Sequence, residues 1–308
     1  LLAGGYFLGF ASMQIPLGYL LDKHGPKKIV SAFLLIAIVG TGSFALAQSF
    51  TGLLISRVFI GIGVSACLMG PLTGYRIWFD DKYQQRANSW MLMIASTGFV
   101  FSTLPVQILL PIFGWRWIFG GITFLILLVI VLTLIFIPSW GNNNNDQEQN
   151  NAGSLSDVWK NKFFRSTIPL GLFNYGGMIA VQTLWAGPWM VRVSGYDPLE
   201  SATGLFWINT TMLIAFLTWG YFLPKFRKYG LDAVKLMKYG LPISYLALLV
   251  IIFSGENAGA VHFTIYILTS IVLTLTQPAV AMSFSTSMAG KSLTSFNLLI
   301  FLGTFIMQ

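Results

Sequence analysis

Residues 1–28 read LLAGGYFLGFASMQIPLGYLLDKHGPKK. Leu1 to Leu21 carries no charge, and Asp22, Lys23, Lys27 and Lys28 then crowd into one short gap. A bilayer offers no water to backbone amides, so a crossing segment must be a helix or belong to a closed barrel. A helix crosses with about 20 apolar residues, whereas a barrel strand needs about half as many, in alternation. Leu1–Leu21 fits the helix. The pattern recurs, with apolar stretches at 1–21, 29–47, 52–76, 88–112, 117–138, 166–190, 201–223, 239–254, 259–285 and 292–308. Composition agrees: the 308 residues are 55% hydrophobic and 9% charged, and mean hydropathy is +0.72. Soluble domains carry about 25% charged residues. The expected fold class is all-α, a polytopic membrane protein with ten spans present.

The net charge of +8 would suggest nucleic acid in a soluble protein. Here its distribution excludes that partner. Of the 18 lysines and arginines, Arg116 and Arg192 fall in one set of alternate gaps and Arg57 falls inside a stretch. The rest, from Lys23 to Lys291, lie in the other set. Cytoplasmic loops carry the excess of Lys and Arg. Loops 22–28, 76–87, 139–165, 224–238 and 286–292 are therefore expected on the cytoplasmic side. The compact, short-looped chain fits a bacterial inner membrane. The single Cys67 excludes an intrachain disulfide and a cysteine-based zinc site.

Leu1–Leu21 lacks the basic start and cleavage site of a signal peptide. The chain begins and ends inside apolar runs, which reads as a fragment truncated at both ends. One interior gap is long and polar, including Asn142 to Asn145, Asp146 and Glu148. With no apolar face to bury, it reads as a linker, 139–164, with a short amphipathic helix at 155–164. It divides an N-terminal bundle, 1–138, from a C-terminal bundle, 165–308. Gly18-Tyr19-Leu20-Leu21-Asp22-Lys23 partly recurs as Gly220-Tyr221-Phe222-Leu223-Pro224-Lys225. Both copies close a span, which favours duplication and pseudo-symmetric bundles.

The sharpest local pattern is Gly18-x-x-x-Asp22-Lys23-x-Gly25-x-Lys27-Lys28. Gly18 permits close helix approach, Gly25 permits a tight turn, and the lysines stay in water or at headgroups. Asp22 sits at a helix C-terminus, where a negative charge is unfavourable unless another group holds it. The pattern strongly resembles the loop between helices 2 and 3 of the major facilitator superfamily. Leu53-x-x-x-Arg57-x-x-x-Gly61-x-Gly63 resembles the family's helix 4, Arg86-Ala87 the end of its 4–5 loop, and Gly114-Trp115-Arg116 its 5–6 turn. The resemblance spans nearly the whole chain as helices 2 to 11 of an expected twelve. It implies that the acid at Asp22 helps close the cytoplasmic side, near the start of helix 11 at 292–297. The family's antiporter Gly-Pro pair in helix 5 is missing; Gly98 and Pro105 stand seven apart.

Arg57 is an ionisable group inside a span, which is costly and usually functional or paired. It lies about one turn from the end of its stretch, so snorkelling to the interface is the competing reading. Gly61 and Gly63 read as packing residues. The resemblance places a substrate site near the membrane midplane, between the bundles. The candidates are Gln107, Asn174, Tyr175, Gln182, Trp185, Asn209 and Gln277; any one alone reads first as interhelical glue, and the site reading rests on the set converging on a cavity. Asn174, Gln182 and Trp185 fall roughly on one helical face.

All ten acids lie in loops or at helix ends, and both histidines near interfaces. A membrane enzyme would need buried metal ligands or a catalytic cluster, and the ingredients are missing; no cofactor or metal is expected. A proton relay also needs a titratable group in the pathway. Coupling therefore resides outside this stretch of chain, uses another ion, or is absent, as in a uniporter. The expected function is secondary transport of a small solute, anionic or neutral, by a monomer in the lipid bilayer through rocker-switch alternating access. The alternative is a transport-inactive fragment or membrane scaffold of the same fold.

Overall fold

A computed structural model describes residues 2–79, 81–138, 154–228, 233–284 and 286–308. The side chains of Asp22 and Arg86 lie outside the described set, as does most of the linker. The described residues form helices and no strand. In order these are α1 (Leu2–Ser12), α2 (Gln14–His24), α3 (Pro26–Leu46), α4 (Phe50–Val64), α5 (Ala66–Trp78), α6 (Asp81–Phe101) and α7 (Leu104–Phe136). There follow α8 (Leu155–Lys160), α9 (Lys162–Pro169), α10 (Gly176–Ala180), α11 (Ala186–Arg192), α12 (Pro198–Lys228), α13 (Ala233–Ser254), α14 (Ala260–Ser270), α15 (Thr276–Met282) and α16 (Thr286–Met307).

Among the described residues, seven helices are long and apolar enough to cross a membrane, and they match seven of the ten apolar stretches. The other three, 1–21, 88–112 and 166–190, are interrupted. The first breaks at Met13 and the second at Ser102–Thr103, while the third contains two π-helical segments, Leu170–Tyr175 and Val181–Trp185. Composition shows where a span lies; it does not show where hydrogen-bond register changes inside one. The single helix expected at 155–164 is instead two: α8 ends at Lys160, and α9 starts anew after the extended corner at Asn161 and runs to Pro169.

By packing, the chain sorts into two compact units, each drawing on both halves of the sequence. The first comprises Leu1–Gln84, Phe113–Gly176 and Val280–Gln308, and the second Gln85–Ile112 and Gly177–Ala279. In the first unit, α4 packs between α1 and α3. A Cβ on Gly61 would collide with the backbone of Tyr6, and one on Gly63 with the backbone of Ala37. The two glycines of the helix 4 pattern thus seat two different neighbours. Lipid tails are as apolar as leucine, so helices in a bilayer gain by close contact through small residues rather than by escaping water. Across from α1, α16 stacks Phe301 at 6.0 Å from Phe7 and 4.1 Å from Phe10. Leu17, Leu21, Ile29, Phe33, Ala66 and Met69 form a buried cluster over which Leu293 of α16 closes.

In the second unit, Asp197 starts α12: its Oδ1 accepts the N–H groups of Leu199 and Glu200 at 2.7 and 2.8 Å. In return, Glu200 Oε2 accepts the Asp197 N–H at 2.9 Å, completing a capping box. Helix α14 packs on both α12 and α13. Ser194 donates to the Ala258 carbonyl at 2.8 Å, tying two loops of this unit together.

Candidate functional site

In the second unit, the break at Ser102–Thr103 has a local cause. Pro105 has no N–H to donate, which strips a hydrogen bond from the helix before it. The Thr103 N–H turns back to Val100 at 3.4 Å, and the Phe99 carbonyl instead receives the Ser102 hydroxyl at 2.8 Å. Its second donor is the Asn209 carboxamide at 3.3 Å, from α12. Asn209 is almost fully buried, and its Oδ1 in turn accepts from Gln182 Nε2 at 2.8 Å. The same Gln182 amide lies 3.3 Å from Met212 Sδ. Gln182 sits in the π-helical segment Val181–Trp185. Single π turns are rare and often mark functional sites.

Gln182, Asn209 and the Phe99 carbonyl therefore form a continuous polar chain where three apolar stretches meet. Carboxamides both donate and accept but do not titrate. The arrangement can hold a neutral or anionic polar group by hydrogen bonds; it cannot carry a proton by ionising. Two sequence candidates, Gln182 and Asn209, are thus brought together. Gln107 is half-buried in α7 and does not join them. Trp185 is half exposed, and Gln277 is half-buried in α15, directly after the 3-10 turn Ile271–Leu275.

The remaining candidates belong to the first unit. Asn174 and Tyr175 lie in its π-helical segment, Leu170–Tyr175, with Asn174 Nδ2 3.5 Å from the Pro169 carbonyl. Arg57 is half-buried and turns its guanidinium onto rings, 4.6 Å from the Phe44 centroid and 5.3 Å from that of Phe119. Its Nε is buried with no hydrogen-bond partner. Aromatic faces stabilise a desolvated cation. Phe44 also meets Trp115 edge-on at 5.5 Å, and Arg116 lies 4.2 Å over Trp115 while donating to the Ala47 carbonyl at 3.3 Å.

In the 18–28 segment, expected as a loop over 22–28, both sides are helical and Gly25 is the entire corner between α2 and α3. Its φ of 78° and ψ of 159° belong to a region essentially reserved for glycine. Its N–H caps the Leu21 carbonyl at 2.9 Å, and Pro26 opens the next helix. Gly114 repeats this geometry, with φ 71° and ψ 159°, and splits the long range of α7. Gly18 faces α16: a Cβ there would sit 3.9 Å from the Thr294 side chain. Lys23 lies 5.6 Å over the Tyr19 ring, Lys27 is half-buried and Lys28 exposed.

Sequence reasoning missed two groups. Gln14 is fully buried on the first turn of α2; its Nε2 donates to Phe10 at 3.3 Å and its Oε1 has no partner. An amide inside Leu1–Leu21 was a visible signal. The Phe99 carbonyl carries none, because every residue has one.

Over residues 1–307 the chain matches the family described as Major Facilitator Superfamily. It is 32% identical over 136 residues to the methyl viologen resistance protein SmvA of Salmonella typhimurium, covering 43% of this chain and 27% of that protein. It is 24% identical over 204 residues to the putative niacin/nicotinamide transporter NiaP of Bacillus subtilis, covering 63% of this chain and 49% of that one. The chain thus spans about a quarter to a half of these relatives. Its structure is similar to that of the E. coli fucose:proton symporter FucP, with a TM-score of 0.75 at 16% identity over 100% of this chain and 81% of that one. That likeness concerns the fold.

Proposed function

The chain belongs to the Major Facilitator Superfamily, and on that premise we propose that it is part of a secondary transporter of a small polar solute. The solute site lies between two pseudo-symmetric bundles, 1–138 and 165–308, which rock to expose it to each side in turn. The observation that carries the reading is the neutral chain Gln182–Asn209–Phe99 at a helix break within apolar sequence. Discontinuous helices in transporters place polar groups and freed backbone at membrane depth, where solutes bind.

The solute is neutral or anionic. Arg57 contributes positive charge inside a span, and the acids of the sequence lie in loops or at helix ends. A dication would meet no carboxylate at depth, so the viologen named for SmvA suits these residues less than the niacin named for NiaP. The 18–28 segment, two helix ends joined at Gly25, acts as the gate, closing against the start of α16, with Gly18 beside Thr294 and Leu293 on the same core supporting that role. Asp22 and Arg86 supply its charges, and Lys23, Lys27 and Lys28 keep it at the cytoplasmic surface.

The test is uptake and efflux of niacin, fucose and methyl viologen by cells expressing the complete protein, with Gln182→Ala and Asn209→Ala beside it. Saturable movement of one solute that both variants weaken supports the reading. No movement of any panel member, or movement unchanged in both variants, counts against it.

A further inference from the structure

The chain just ahead of the apolar stretch 166–190 carries a cationic surface that the transport reading does not use. Helices α8 and α9 meet at Asn161, whose side chain caps α9 by accepting the Phe164 N–H at 3.0 Å. One side of the pair is anchored: Val158 and Phe164 are fully buried, and Thr167 nearly so. Phe164 packs edge-on against Trp159 at 5.3 Å and against Phe284 at 6.4 Å. The other side exposes Lys160, Lys162 and Arg165. Asp157, exposed nearby, is engaged by the Ser154 N–H at 2.7 Å. Among the described residues of this corner, three cations therefore stand against one acid, within two turns of where the apolar stretch begins.

Cations just ahead of an apolar membrane stretch are placed to meet lipid headgroups. The geometry points to a binding site for anionic phospholipid headgroups at Lys160, Lys162 and Arg165, held in place by Val158 and Phe164. Lys and Arg near an anionic surface attract its headgroups, and Arg165 offers a planar fork that fits phosphate oxygens in pairs. The buried side fixes the corner, so the cations act together rather than as independent floppy charges.

The experiment is native mass spectrometry of the complete purified protein released from micelles containing equal phosphatidylglycerol and phosphatidylcholine. The expected parent result is a preference for phosphatidylglycerol of about tenfold, falling to near parity in the triple variant Lys160→Gln, Lys162→Gln, Arg165→Gln. Lys160→Arg with Lys162→Arg keeps the preference. Lys235→Gln with Lys238→Gln, which removes cations from the second unit, also leaves it in place. Circular dichroism and elution volume confirm that each variant is folded. A parent without preference overturns the site. So does a triple variant that retains the preference, or a loss as large in the Lys235/Lys238 control.

Discussion

The side chain of Gln182 donates to that of Asn209 at 2.8 Å, and Asn209 passes the contact on to the Phe99 backbone at 3.3 Å. A residue in a π turn is thereby joined to the broken end of another helix by one carboxamide. Removing Asn209 takes a partner from two groups, Gln182 and the Phe99 carbonyl, whereas removing Gln182 takes one from Asn209 alone. Hydrogen bonds between membrane helices average about 0.6 kcal/mol and reach about 1.7. Asn209→Ala is expected to lower the melting temperature in detergent more than Gln182→Ala. The double variant should fall short of the sum, since the shared bond is lost only once. Strict additivity would show that the two side chains are not coupled.

The glycines of α4 are expected to be intolerant in proportion to what lies over them. Gly61→Ala and Gly63→Ala push a methyl into the backbone of Tyr6 and of Ala37. Overpacking costs about 1–3 kcal/mol, so the yield of monodisperse protein should drop. Gly120→Ala, where nothing lies within 4 Å, should be neutral or stabilise by up to about 1 kcal/mol. Equal yields for all three would refute the close packing.

Arg57 separates two roles. If it only anchors its helix at the interface, Arg57→Lys and Arg57→Gln should leave turnover unchanged. If its charge serves transport, Arg57→Gln should reduce turnover at unchanged expression, and Phe44→Leu with Phe119→Leu should reduce it too by removing the rings that hold the guanidinium. Transport of the solute identified by the panel is the measurement.

The gate proposal makes a narrower claim. Asp22→Asn should slow transport while surface labelling shows normal insertion. Gly25→Ala should instead cost stability, about 1–3 kcal/mol, because alanine does not readily occupy φ 78°, ψ 159°. Unchanged transport in Asp22→Asn would remove the acid from the gate.

The fold was legible because lipid allows so few solutions: Leu1–Leu21 and its successors could hardly be anything but helices, and Arg57, Gly61 and Gly63 stood at recognisable spacing. The packing roles of Gly61 and Gly63 followed from their lack of a side chain. The polar chain was half legible. Gln182 and Asn209 stood out as amides in apolar surroundings, but pairing depends on interhelical register, which no single stretch encodes. The bond from Asn209 to Phe99 needed the break at Ser102–Thr103, which arises where Pro105 withholds a donor. Gln14 was open to the same reasoning as Gln182 and was passed over.

Gly25 and Gly114 also constrain how this protein can move. A reversal made by one residue leaves the chain no loop in which to take up slack. Helices α2 and α3 are therefore expected to swing together. Compliance then falls to the widened π turns and to the interruption at Met13, so a spin or fluorescence probe near Val181 should register more motion than one beside Gly25.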